Sequence, residues 1–250
     1  MLGLRCGLSS SSSSSSALAG EFTLDQAGTM VAWYKFDEGQ SKADSDGDGT
    51  EEVSSWSSSF GTANALAQST ATKQPAYNSG HLDFHQPSQQ KLEASADFGG
   101  AGLASFTIMI SISPDNFTGS RTVFGRSTTA GNLFRFSSNN TTTRLQFQGA
   151  AFDSVASEAY PTSRFILTIT RDTSSNPNPI KIYNNTTEVV SGTKTFGSQS
   201  AAALFNQIGC QAGASNPFDG QISEIAIWSD VLTDADRAAA IADMQVRTGV

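Results

Sequence analysis

Three aspartates at alternate positions, Asp44, Asp46 and Asp48, with Gly49 directly after them, form the densest concentration of chemistry in this chain. Alternating carboxylates followed by glycine match the first, third, fifth and sixth positions of a calcium-binding loop, where hard oxygen ligands meet a hard cation and the glycine permits a sharp turn. The match ends there: the position that should carry a bidentate glutamate is Ser55, and no flanking helices are evident. Glu51 or Glu52 can supply the missing carboxylate. Asp44, Asp46, Asp48 and Glu51 are the candidate calcium set, with a solvated acidic turn as the alternative reading. No other cofactor is indicated.

Other reactive residue types are sparse. His81 and His85 bracket Leu82-Asp83-Phe84, which alternates like a strand and would hold the two rings about 13 Å apart, too far for one metal ion. Cys6 and Cys210 are expected to be free thiols, and no Cys/His cluster has zinc spacing. A Gly-x-Ser-x-Gly elbow, a phosphate loop and a dinucleotide fingerprint are all missing, so the chain is not expected to be an enzyme. With 15 Lys and Arg against 23 Asp and Glu, the net charge is −8. That balance, without any basic cluster, argues against nucleic-acid binding. No stretch reaches the roughly 20 apolar residues that span a bilayer. Trp33, Tyr34, Trp56, Tyr77, Tyr160 and Trp228 could stack on sugars, but in a β-rich chain most aromatics are expected to pack in the core.

The elements that must position these residues are short strands. Only 15% of the 250 residues are charged, and the polar turn-formers are abundant. The clearest strand is Phe106 to Ser113, with Phe106, Ile108, Ile110 and Ile112 on one face and Thr107, Met109, Ser111 and Ser113 on the other. Further strands are expected at Val31–Phe36, Val53–Phe60, Phe165–Arg171 and Ile180–Tyr183, with turns at Asn139-Asn140 and Asn176-Pro-Asn-Pro179. About a dozen such strands, with turn signals every ~8–12 residues, predict an all-β, antiparallel jelly-roll β-sandwich. A closing strand from Phe218 to Trp228, alternating as Ile222, Glu224, Ala226 and Trp228 against Ser223, Ile225 and Ile227, precedes a short C-terminal helix. Thr233 caps that helix, Asp234 and Asp236 suit its dipole, and Ala238, Ile241 and Met244 or Gln245 make a stripe for the sandwich edge.

Residues 1–28 are expected to be an extended Ser-rich arm, and residues 29–250 the folded domain. Ser9 to Ser16 replace the apolar run that a secretion signal requires, so the arm is expected to remain uncleaved. Such a segment buries too little to order alone. Leu2, Leu4, Leu8, Ser9, Ser16 and Leu18 are its candidate partner-binding residues.

Trp33 to Phe36, Gly80 to Phe84, Phe106 to Ile110, and the run from Phe218 to Arg237 together resemble the concanavalin A-like lectin/glucanase fold, in its laminin-G-like jelly-roll branch. The glucanases of that fold use a Glu-x-Asp-x-x-Glu run. Here only Glu224 is in place, so the resemblance implies a sheet residue rather than a catalyst. Met-Leu-Gly-Leu, the Ser-rich arm and the jelly roll also resemble virion proteins of tailed bacteriophages. That likeness implies a structural protein at the virion surface, a capsid decoration or appendage anchored by its arm. Its expected partners are major capsid, tail or neck proteins, and it would be present as a homo-oligomer or in many copies. The alternative it implies is a lectin-like, carbohydrate-binding module for attachment to host surface glycans, as on a tail fibre.

Overall fold

The computed structural model describes residues 29–61, 65–115, 119–128, 134–139, 142–147, 154–155, 161, 163–175, 178–194, 202–212 and 215–250. The arm, with Leu2, Leu4, Leu8, Ser9, Ser16 and Leu18, lies outside the described residues, as do Cys6 and Tyr160.

The chain opens with β1 (Met30–Tyr34), β2 (Gln40–Ala43), β3 (Glu52–Trp56), β4 (Leu66–Ala67), β5 (Ala76–Asn78), β6 (His81–Phe84) and β7 (Leu92–Glu93). It continues through β8 (Phe106–Pro114), β9 (Ser120–Gly125), β10 (Phe134–Asn139), β11 (Thr142–Phe147) and β12 (Ser154–Val155). Then come β13 (Phe165–Arg171), β14 (Asn178–Asn184), β15 (Thr187–Lys194), β16 (Gln207–Ile208), β17 (Gly220–Trp228) and α1 (Asp234–Thr248).

Among the described residues the named strands pair antiparallel, and the pairings resolve into two layers. The back sheet runs β1-β17-β8-β13-β14-β15. The front sheet runs β2-β3-β4-β7-β16-β9-β10-β11-β12. β6 pairs with the first residues of β17, and β5 joins β6 to Glu52 of β3, so this hairpin stitches the layers together. The fold is thus a mostly antiparallel β-sandwich of jelly-roll type, closed by one C-terminal helix.

Alternation explains the core. Phe106, Ile108, Ile110 and Ile112 of β8, Leu167 and Ile169 of β13, and Ile225 and Ile227 of β17 all point between the sheets. Trp56, Leu66, Leu92, Phe124 and Ile208 meet them from the front sheet. An aromatic chain crosses this layer: Tyr34 lies 5.7 Å from Trp56 and 6.0 Å from Phe98, and Phe205 lies 5.0 Å from Phe98 and 5.5 Å from Phe124. These tilted contacts suit the ring quadrupoles.

The outward residues of the back sheet are buried as well. Trp33, Met109, Ile166, Ala226 and Trp228 form a second apolar cluster with Leu232 and the helix residues Ala240, Ile241 and Met244. The helix therefore lies on the face of the sheet and not on the sandwich edge, and its buried stripe is Ala240, Ile241, Met244 and Thr248 rather than one including Ala238. Its start and stop follow the sequence. The Thr233 hydroxyl accepts the Asp236 N–H at 3.1 Å. Gly249, at φ +71°, donates its N–H to the Gln245 carbonyl at 2.9 Å.

Two further expectations need correction. A β-bulge falls between Ile222 and Glu224, so Ser223 is an extra residue and Ile222 joins the core with Ile225 and Ile227 instead of sharing a face with Glu224. β14 begins at Asn178, so Pro179 sits in a strand and not in the preceding turn. Strands β2, β4 and β5 are too short, at four, two and three residues, for an alternation that would announce them. At the start of β17, Gly220 (φ +135°) passes so close to β8 that a Cβ there would lie 2.7 Å from the Cα of Pro114, which requires glycine.

Candidate functional site

The acidic run forms the tip of the β2–β3 hairpin. Asp44 accepts the N–H of Gly47 at 2.7 Å through Oδ1 and that of Gly49 at 3.2 Å through Oδ2. Asp46 accepts the Asp48 N–H at 3.2 Å, and Asp48 accepts the Thr50 N–H at 2.8 Å. Each aspartate thus turns the backbone beside it, with Gly47 and Gly49 taking φ of +82° and +90°. The fourth carboxylate is Glu52, the first residue of β3, only 4% exposed and accepting the Ser45 N–H at 2.7 Å. One ligand oxygen from each of Asp44, Asp46, Asp48 and Glu52 lies within 4.8 Å of the others. The donor set is all oxygen, and it could hold a metal ion.

Glu51 is not part of this cluster. Its side chain is exposed, and its carbonyl accepts the Tyr77 N–H at 2.6 Å. Neighbouring residues of an extended chain point to opposite sides, and Glu52 is the one on the inner side of the loop. Sequence spacing left both open, because the parity depends on where β3 begins.

A second feature has no counterpart in any sequence motif. Strand register places Ser55, Ala67, Glu93, Gln207 and Gly125 in one row across β3, β4, β7, β16 and β9. The adjoining row, Trp56, Leu66, Leu92, Ile208 and Phe124, fills the core, so the first row faces outward. Where β4 meets β7, an open groove of about 360 Å³ is lined by Ala65, Ala67, Gln68, Lys91, Glu93 and Ser95, among others. Lys91 Nζ and Glu93 Oε2 are 3.1 Å apart in its wall. Beyond Glu93 the row is covered: Gln207 is fully buried, and its Nε2 reaches the sulfur of Cys210 and, at 3.5 Å, the Gln211 carbonyl. Burial raises the Cys210 thiol to a pKa of about 11, which keeps it protonated and unreactive.

The other residues singled out from sequence have structural surroundings. Glu224 is fully buried and accepts the Trp33 indole N–H at 2.7 Å. Arg247, in the last turn of α1, closes on the same carboxylate at 2.8–3.2 Å and lies over the Trp33 ring. Trp33, Tyr34, Trp56 and Trp228 are 0–7% exposed, so none of them offers a face to a sugar. Tyr77 is half-buried. Its hydroxyl donates to Asp37 at 2.6 Å, and Lys42 covers its ring at 3.7 Å. His81 meets the Ser223 hydroxyl at 2.8 Å and the Phe36 ring at 5.2 Å. Burial, helped by the Arg164 cation, lowers its pKa to about 4.

A family model described as the concanavalin A-like lectin/glucanases superfamily matches residues 85–236, more than half of the chain. The chain belongs to this superfamily. Solved structures agree on the fold. Domain 4 of AbnA, an extracellular arabinanase from Geobacillus stearothermophilus solved in complex with arabinotriose, is 19% identical; the match covers 85% of this chain and 98% of that one, with a TM-score of 0.55. A botulinum neurotoxin type C structure, whose cell entry depends on two ganglioside molecules, is 9% identical over 88% of this chain and 52% of the toxin chain, with a TM-score of 0.56. The Trypanosoma rangeli sialidase bound to sialic acid is 12% identical over 85% of this chain and 32% of the enzyme, with a TM-score of 0.54. This chain therefore spans about half of the toxin chain and a third of the sialidase. No curated protein matches the chain in sequence.

Proposed function

We propose that this chain is a non-enzymatic carbohydrate-binding domain whose β2–β3 hairpin is organised by calcium. The observation that carries the reading is the overlay on nearly the whole of an arabinanase domain solved with arabinotriose. The ganglioside-dependent toxin and the sialic acid complex of the sialidase share the same fold. Glu224, the single acid at a position where glucanases of this fold carry catalysts, is fully buried and engaged by Trp33 and Arg247. Asp44, Asp46, Asp48 and Glu52 supply the hard oxygen ligands that suit calcium. A glycan array spanning neutral and sialylated oligosaccharides, probed with the full chain in millimolar calcium, tests the reading. Reproducible binding to one glycan class supports it, and an array with no signal overturns it.

A second reading concerns where the domain is displayed. The resemblance of the Met-Leu-Gly-Leu start, the serines Ser9 to Ser16 and the jelly roll to tailed-phage virion proteins is what supports residues 1–28, with Leu2, Leu4, Leu8 and Leu18, as an anchor on a virion surface, against capsid, tail or neck proteins and in many copies. Glycan binding and particle display are compatible on one chain. Deleting residues 1–28 should abolish incorporation into particles while leaving the domain folded. Unchanged incorporation of the truncated protein would remove this reading.

A further inference from the structure

We infer that the glycan seat is the groove across β4 and β7 on the front sheet, and that it takes neutral sugars in preference to sialylated ones. The inference rests on the carbohydrate-binding reading and names the place and the ligand class. The outward row Ser55, Ala67 and Glu93 crosses three strands at right angles to their direction. Adjacent strands lie about 4.8 Å apart, close to the length of one sugar ring in a chain, so successive rings fall over successive strands. The small side chains of Ala65 and Ala67 keep the floor low. Ala65 and Ala67 present methyl groups to the apolar face of a pyranose or furanose ring, while Gln68, Ser95 and the Lys91–Glu93 pair offer both donors and acceptors to its hydroxyls. Neutral sugars need this mixture, since each hydroxyl both donates and accepts.

Charge decides the class. Lys91 is the only cation among the described residues lining the groove, and Glu93 neutralises it at 3.1 Å. Two residues beyond Ser95, Asp97 is held by Arg126 through two bonds of 2.8 and 3.0 Å, so this stretch adds no uncompensated positive charge. A sialic acid carboxylate entering the groove would meet Glu93 as a like charge and would have to displace it from Lys91.

The test uses isothermal titration of the full chain in calcium with lactose, arabinotriose and α2,3-sialyllactose. Lactose and sialyllactose differ by the sialic acid alone. Wild type should bind lactose or arabinotriose at least about ten-fold more tightly than sialyllactose, a difference of about 1.4 kcal/mol. Ala67→Trp, which fills the groove floor, should abolish that binding, and Ser95→Trp provides a second block at an exposed site should the first variant misfold. Glu93→Gln should free Lys91 and raise affinity for sialyllactose about five-fold. Tighter binding of sialyllactose by wild type overturns the neutral class. Unaltered affinity in both tryptophan variants overturns the groove while leaving carbohydrate binding intact. Failure of all three sugars together with a silent array overturns the functional reading itself.

Discussion

On the back sheet, the outward residues Met109, Ile166, Ala226 and Trp228 lie under α1 and contribute to a second hydrophobic layer. On the front sheet, the outward residues Ser55, Ala67 and Glu93 reach solvent, and the last two border a groove. Both rows come from the same alternation, one side chain in and the next one out. The difference is what the chain puts on them. Large apolar groups demand a cover, and the C-terminal helix supplies it. Small and polar groups need none and leave a surface on which a ligand can lie. Sequence changes on the covered face should therefore register as stability, and changes on the open face as binding.

The strongest way to break this contrast is Trp228→Ala. The ring is fully buried between the sheet and the helix, and truncating such a residue costs about 3–5 kcal/mol. Its indole N–H has no partner among the described residues, a burial cost that truncation relieves, so the lower end of that range is expected. Urea unfolding should show a loss of about 3 kcal/mol for alanine and less than about 1 kcal/mol for Trp228→Phe, which keeps most of the apolar volume and drops the donor. An alanine variant as stable as wild type would mean that the helix is not a structural cover.

The next effect belongs to Glu224, which joins β17, β1 and the helix. Glu224→Gln keeps an acceptor for Trp33 but leaves Arg247 without its buried counter-charge. Breaking a fully buried pair costs about 3–5 kcal/mol. The Arg247 side chain retains 26% exposure and also pairs with Asp243, so about 2 kcal/mol is expected. A double-mutant cycle with Arg247→Met should return a favourable coupling, and additive losses would show that the pair adds nothing beyond packing.

These residues also show how far the sequence could be read. Phe106 to Ser113 divides its faces in the structure just as its alternation requires, and the Thr233 cap, acidic first turn and Gly249 stop of α1 are all visible in the residue order. Ser223 was misassigned because a bulge inserts one residue without changing the local pattern of residue types. The clustering of the three aspartates at the hairpin tip was legible because it is set by local spacing. Glu52 was separable from Glu51 only once the first residue of β3 was known. The groove could not be read at all: Ser55, Ala67 and Glu93 come together only through strand register, and each alone is an ordinary surface residue.

An effect of similar size, read on adding a ligand rather than on losing a contact, sharpens the open side of the contrast. At calcium concentrations about 100 times its dissociation constant, an ion bound only by the folded chain adds about 2.7 kcal/mol. For a domain of this size that raises the melting temperature by about 5–10 °C. Asp46→Asn with Asp48→Asn should erase the shift without lowering the calcium-free melting temperature by more than about 2 °C, because both side chains are exposed. A melting temperature indifferent to millimolar calcium would return the hairpin to a solvated acidic turn. Magnesium, which demands stricter octahedral geometry and keeps its waters, should give a smaller shift.

The smallest effect lies at His81, where the bulge of β17 meets the hairpin that stitches the two sheets. Its folded pKa is about 4, lowered first by burial and then by Arg164, with Asp37 acting in the opposite direction. The unfolded chain, with an ordinary histidine pKa near 6.5, binds more protons than the folded one between these values. Neutral His81 therefore favours the fold fully above about pH 6.5, and this contribution is lost as the pH falls toward 4. The ring is only part-buried, so solvent screens much of the effect and the loss should be about 1 kcal/mol or less. His81→Asn keeps a hydrogen-bonding group opposite Ser223 and removes the titration. Its stability should fall less steeply than that of wild type between pH 6.5 and 4, while the two curves run parallel above pH 7. Identical slopes across the acid range would mean that the Ser223 bulge tolerates a protonated ring, and that the stitch between covered and open sheets is looser than its geometry implies.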